Sequence, residues 1–129
     1  QVEFLGHISD RQELAKWYRK ARVFCVPSLP LLNDKDPFGQ WSEQMGQVYL
    51  EAMASGLPII TYSGPQTTDL FGEDWLVAPR HWGDLRERLT YFLEDDTAWE
   101  IESNMMRHRA VEYFSYETIG QQIVEWYEL

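Results

Sequence analysis

The stretch Glu43–Ile60, EQMGQVYLEAMASGLPII, decides how the rest of the chain is read. From about Gln44 to Ser55 it is helical in composition. Gly56 then stands where a helix turns off through a left-handed residue, and Pro58 follows just beyond. Pro58–Tyr62 (PIITY) is a short continuous apolar run of the kind a buried strand requires. Two glutamates mark the helix, Glu43 at its mouth and Glu51 inside it. Along an ideal helix eight residues advance about 12 Å and leave two positions about 80° apart, on one broad face. Glu43 stands at the helix start, where ideal geometry ends.

Working outward, the chain alternates the two kinds of element. Val2–Leu5 (VEFL) reads as a short strand ending at Gly6. Ser9–Gln12 (SDRQ) fits a capping box, so a helix is expected from about Asp10, with Leu14, Trp17, Tyr18 and Ala21 on its buried face. Val23–Val26 (VFCV) reads as a strand covered on both faces. Leu29–Ser42, with two prolines, reads as one long loop, and long loops in compact domains are usually functional or disordered. Ser63, Gly64 and Pro65 begin another loop, Trp75–Ala78 a fourth strand. Helices are expected over Trp82–Glu94, Thr97–Glu112 and Tyr116–Glu128, the last capped by Ser115. This order argues for an α/β domain built on a parallel sheet. In such sheets ligands bind beyond the carboxyl ends of the strands, here the loops 6–9, 27–43, 63–68 and 79–82. No internal repeat or interdomain linker is visible, so residues 1–129 read as a single partial Rossmann-like domain. Because the chain opens on Gln1, with Val2 already in an apolar run, it reads as a fragment cut from a longer protein.

Composition narrows the function. Eleven basic against 21 acidic residues give a formal net charge of −10. That balance argues against nucleic acid, whose binding rests on basic side chains neutralising phosphate, and against docking on anionic lipid. No apolar run approaches the roughly 18 residues of a membrane span. The single cysteine, Cys25, forms no internal disulfide and suits reducing cytoplasm; in an apolar strand it reads as core rather than nucleophile. His7, His81 and His108 lack metal-ligand spacing, and no metal site is expected. The DKDP run at Asp34–Pro37 reads as solvated, Trp99, Met105 and Met106 as packing for the sheet. Trp41 is the one tryptophan set aside for sugar stacking.

The two glutamates admit two readings from the residues alone. Glu43 can complement the helix dipole, and Glu51 can be solvated or paired with an arginine. Alternatively, the helix N-terminus is an anion site, with a phosphate on the amides of Met45, Gly46, Gln47 and Val48, and Glu51 accepts hydrogen bonds from sugar hydroxyls.

The pattern Glu43-Gln44-Met45-Gly46, then Glu51-Ala52-Met53-Ala54, Gly56, Pro58-Ile59-Ile60, resembles the E-x7-E segment of family 4 glycosyltransferases, retaining enzymes of the GT-B fold. WSEQMGQV at Trp41–Val48 is similar to a variant of that segment. FLGHISDRQELAKWYRKARVFCVPS resembles the stretch preceding it in the family, and FSYETIGQQIVEWYE the terminal helix. The resemblance implies a nucleotide-diphosphate sugar as donor and a glycan or lipid-linked acceptor, with no metal or other cofactor. It implies that Glu43, as catalytic residue, lies against the donor sugar. The amides of Met45, Gly46, Gln47 and Val48 would hold sugar hydroxyls and diphosphate, Glu51 the ribose, while His7 and Ile8 border the base. Met45 stands where the family has phenylalanine, and Arg22 where it has aspartate, a surface matter on this reading. Gly64-Pro65-Gln66 departs from the family's Gly-Gly-x-Pro-Glu.

The family also carries an arginine and a lysine earlier in this domain, and an acceptor domain. Arg11, Lys16, Arg19 and Lys20 read instead as a solvated helix face, so the chain alone is expected to be inactive. The family's strand order, 3-2-1-4-5-6, would leave a gap beside Val23–Val26. Either Val2–Leu5 repacks there or another chain does, and the isolated fragment is expected to dimerise or aggregate. The rival readings are a noncatalytic nucleotide-sugar-binding or interaction module with the same fold, and a GT-B enzyme of another reaction.

Overall fold

The computed structural model describes residues 2–28, 31–32, 40–41, 46–72 and 76–128. Its elements run α1 (Arg11–Lys20), β1 (Phe24–Val26), β2 (Leu31–Leu32), β3 (Gln40–Trp41), α2 (Gln47–Ala54), β4 (Ile59–Thr61), α3 (Pro65–Phe71), α4 (Trp82–Glu94), α5 (Asp96–Phe114) and α6 (Tyr116–Tyr127). β1 and β4 pair in parallel, Phe24 beside Ile59, Cys25 beside Ile60 and Val26 beside Thr61. A parallel bridge joins Tyr62 to Val77, which is all that the described residues show of the expected fourth strand. The result is the expected mixed α/β architecture, a short parallel sheet with helices around it, consistent with part of a Rossmann-like GT-B domain.

β4 organises the core because its successive side chains point to opposite faces. Ile59 packs on one side with Tyr49, Ala52 and Met53 of α2, Leu70 and Phe71 of α3, and Met106 and Ala110 of α5. Ile60 and Tyr62 pack on the other side with Val77 and with Leu85 and Phe92 of α4. The turn from α2 into β4 is a Schellman motif. The Gly56 amide donates to Met53 O and the Leu57 amide to Ala52 O. Gly56 sits at φ 72°, and a Cβ there would lie 2.6 Å from an Arg107 guanidinium nitrogen and 2.8 Å from Ser103 Oγ. Only glycine meets both conditions.

Several expectations are corrected. Val2–Leu5 is not a strand. Val2 and Phe4 are 79% and 93% exposed, and no strand among the described residues takes up the hydrogen bonds of this segment or the free edge of β1. β1 is half-buried rather than covered on both faces. Residues 29–42 are not one uniform loop, since Leu31 pairs antiparallel with Trp41 and Leu32 with Gln40. Asp10, not Ser9, caps α1, its carboxylate accepting from the Gln12 amide at 2.8 Å. The Gly64-Pro65 stretch read as loop starts α3. Proline fits the first helical turn, where its missing N–H has no helical acceptor, and Thr67 Oγ1 ties the turn to Tyr62 O (2.9 Å) and Gly64 O (3.1 Å). Met105 is 47% exposed and does not pack on the sheet, whereas Met106 is buried.

Arg22 is no mere surface substitution. Its Nε donates to the Phe92 carbonyl at 2.8 Å, its guanidinium pairs with Asp96 and lies 5.5 Å from the Trp99 ring centroid. Trp99 Nε1 returns a bond to Arg22 O at 2.6 Å. The start of β1 is thereby tied to the α4–α5 corner. The helices expected over Trp82–Glu94, Thr97–Glu112 and Tyr116–Glu128 correspond to α4, α5 and α6, the last capped by Ser115.

Candidate functional site

The first turn of α2 is fixed at the carboxyl edge of the sheet by a relay of hydroxyls. Thr61 ends β4, and its Oγ1 donates to the carbonyl of Val26, which ends β1, at 2.9 Å. With the Thr61 proton so placed, the Tyr49 hydroxyl supplies the proton of the 3.0 Å bond between Tyr49 and Thr61. Tyr49 is in the first turn of α2 and fully buried. Its ring meets Phe24 at 6.1 Å and Phe71 at 5.5 Å, both edge-on. This anchoring brings the N-terminus of α2 to the strand ends, where α/β folds bind ligands.

The opposite face of α2 is bare. Gln47, Val48, Glu51 and Ala54 are exposed, while Tyr49, Ala52 and Met53 are buried. Gly46 is the N-cap, extended at φ −63° and ψ 112°, with no side chain to cap the helix and no acidic residue in the first turn. The Tyr49 amide donates to Gly46 O at 2.9 Å; the amides before it have no acceptor within the helix, and the dipole of this end favours negative charge. An anion could bond these amides while its uncharged hydroxyls reach the exposed face.

Glu51 lies on that bare face, and its Oε2 accepts from the Tyr18 hydroxyl of α1 at 3.0 Å. Burial, and then the bond to Glu51, push the Tyr18 phenol up to about 12. Tyr18 therefore keeps its proton and remains a donor at any ordinary pH. No cation among the described residues forms an ion pair with Glu51.

The structure thus brings Gly46, Gln47, Val48 and Glu51 onto one helix at the crevice. Ile8 is half-buried and His7 exposed, two and three residues before the cap of α1. No hydrogen bond or ion pair among the described residues joins either to α2. Glu43 and Met45, and the DKDP run, lie outside the described residues. Because Gly46 is extended, the helical phase first used to relate Glu43 to Glu51 does not run through it. Arg11, Lys16, Arg19 and Lys20 are exposed as expected, with Lys20 over the Trp17 ring. His81 pairs with Asp84, and His108 with Glu112, each on or beside its own helix. No cluster of metal-ligating side chains occurs among the described residues, and no helix there is long and apolar enough to cross a membrane.

Sequence reasoning missed four polar groups. Tyr18 was placed only in the apolar face of α1, although its pattern Y-x-x-A precedes β1 in the segment that carries the family resemblance. Tyr49 and Thr61 look apolar and neutral in sequence, and only the fold makes them partners. Glu102 of α5 is 3% exposed, and its Oε1 has no hydrogen-bond partner among the described residues. Burial raises its carboxyl to about 7 against the opposing pull of Arg88. It belongs to the helix layer rather than to the α2 face.

Comparison with known proteins gives this geometry a family. The model of the family described as glycosyl transferases group 1 matches residues 1–95. The MMP alpha-(1->4)-mannosyltransferase of Mycolicibacterium hassiacum is 31% identical over 125 residues, 94% of this chain and 27% of that protein. The O-antigen chain mannosyltransferase B of Escherichia coli is 27% identical over 129 residues, 99% of this chain and 30% of that protein. The D-inositol 3-phosphate glycosyltransferase of Kribbella flavida is 38% identical over 73 residues, 55% of this chain and 14% of that protein. The chain thus spans less than a third of the length of the curated relatives it matches. No solved structure matches. The chain belongs to the glycosyl transferases group 1 family.

Proposed function

We propose that this chain is the donor-binding part of a retaining glycosyltransferase of the family 4 type, acting on a nucleotide-diphosphate sugar. The observation that carries the proposal is the anchored first turn of α2, which has no side-chain cap at Gly46 and carries the exposed Glu51 on the same helix. On this reading the amides of Met45, Gly46, Gln47 and Val48 hold sugar hydroxyls and diphosphate. Glu51 accepts from the ribose, Glu43 lies against the donor sugar, and His7 and Ile8 border the base. The bond from the sugar's anomeric carbon to the diphosphate oxygen breaks. An acceptor hydroxyl, on a glycan or lipid-linked sugar, adds to that carbon with retained configuration and loses its proton. Helix amides and basic side chains steady the leaving diphosphate in place of a metal.

The whole protein is proposed to work in the cytoplasm, on donors present there. Mannosyl transfer is named for two relatives, which makes a mannose donor the first to try. One edge of β1 has no partner among the described residues, which supports pairing with a further strand, and the isolated chain is expected to dimerise or aggregate.

The test is calorimetric titration of the full-length protein with UDP, GDP and ADP, before and after Glu51→Ala. Binding of one nucleotide, weakened about tenfold or more by Glu51→Ala, supports the donor site. Binding unaffected by Glu51→Ala overturns the role of Glu51. Failure to bind any of the three favours the rival, a noncatalytic module.

A further inference from the structure

We infer that Tyr18 is a positioning residue for the donor site: its hydroxyl holds one oxygen of Glu51 so that the other meets a ribose hydroxyl pair. The inference rests on the proposed contact between Glu51 and the ribose. The Tyr18 hydroxyl reaches Glu51 Oε2 across 33 residues of sequence, from α1 to α2. Glu51 is the only acidic residue of α2, and among the described residues its Oε1 has no partner.

The choice of partner is informative. A lysine or arginine beside Glu51 would compensate its charge and compete for its lone pairs. A phenol contributes one neutral proton and leaves acceptor sites on both oxygens. That arrangement suits a ligand offering hydrogen-bond donors, such as hydroxyls, rather than an anion. A glutamate on a bare helix face also has three free torsions, whose ordering costs about 1.5–2 kcal/mol. The Tyr18 bond restricts them before the ligand arrives.

Tyr18 is itself held by the packing that fixes α2. Its ring lies 5.9 Å from that of Phe24, and Phe24 stands edge-on to Tyr49, the residue that anchors the first turn of α2. One aromatic row therefore sets both the helix and the donor that orients its glutamate.

The test uses the full-length protein and whichever of UDP, GDP and ADP it binds, with the 2′-deoxy and 3′-deoxy forms of that nucleotide. Glu51→Ala should abolish the preference for the ribonucleotide. Tyr18→Phe, which keeps the ring, should shrink that preference about three- to tenfold. It should leave affinity for the deoxy forms and the thermal midpoint near those of the unmodified protein. Added to Glu51→Ala, it should cost no further affinity. Loss of preference in Glu51→Ala but not in Tyr18→Phe would overturn the positioning role alone. So would equal weakening of ribo and deoxy forms by Tyr18→Phe, the mark of a purely structural tie. A ribose preference that survives Glu51→Ala would refute the underlying contact, and the inference with it.

Discussion

β1 and β4 are paired residue for residue, yet one is half-buried along its length and the other fully buried. Their sequences, FCV and IIT, do not foretell the difference. β4 has β1 on one side and Val77 beyond its end on the other, with α2 over one face and α4 over the opposite one. β1 has a single neighbour among the described residues, and its other edge is open. An apolar run specifies a strand that can be covered; the neighbours decide whether it is. The same contrast sets the functional geometry. The well-packed strand carries Thr61, which bonds the Tyr49 hydroxyl of α2, while the open strand contributes the Val26 carbonyl and the Phe24 ring against Tyr49.

The contrast breaks first under core truncation. Ile60→Ala should destabilise by about 2–5 kcal/mol in chemical denaturation. Cys25→Ala, at the paired position of β1, should cost about 1 kcal/mol or less. Equal costs would show that β1 is as well supported as β4.

The second probe is the buried carboxyl of α5. Folded Glu102 keeps its proton up to about pH 7, whereas unfolded it ionises near the ordinary glutamate value of 4.5. Its contribution to stability is therefore fully present below pH 4.5 and is lost as pH rises to about 7. Glu102→Gln should match the unmodified protein near pH 4 and be more stable by up to about 3 kcal/mol at pH 8. Urea denaturation at the two pH values decides it, and a pH-independent difference would contradict the assignment.

Smaller effects are expected at the links. Gly56→Ala should lower stability by about 1–2 kcal/mol, from the left-handed backbone and the crowding by Arg107 and Ser103. Arg22→Ala should cost about 1 kcal/mol, through the bond to Phe92 O more than the exposed pair with Asp96. High salt should leave most of the Arg22 effect intact; its disappearance in salt would reassign it to the ion pair.

Much of this was legible in the residues. Gly56 and Pro58 end α2 where the punctuation puts them, and the three C-terminal helices begin and end within two residues of the expected spans. α3 was hidden because Gly64 and Pro65 signal a turn as readily as a helix start, and Thr67 decides between them through contacts made only after folding. Val2–Leu5 carries a strand's composition, but a strand exists only with a partner. Arg22 looked like surface because nothing local shows that Phe92, Asp96 and Trp99 will gather around it. At the site, Glu51 and the amides were readable from the motif. Tyr18 was not, since its hydroxyl meets Glu51 only when α1 packs beside α2.

The most direct test of the proposed donor site is hydrogen–deuterium exchange of the full-length protein with and without saturating nucleoside diphosphate. The account predicts slowed exchange in the peptide spanning Gly46–Glu51, centred on the amides of Gly46, Gln47 and Val48. Bound nucleotide with unchanged exchange there, and protection only elsewhere, would contradict it.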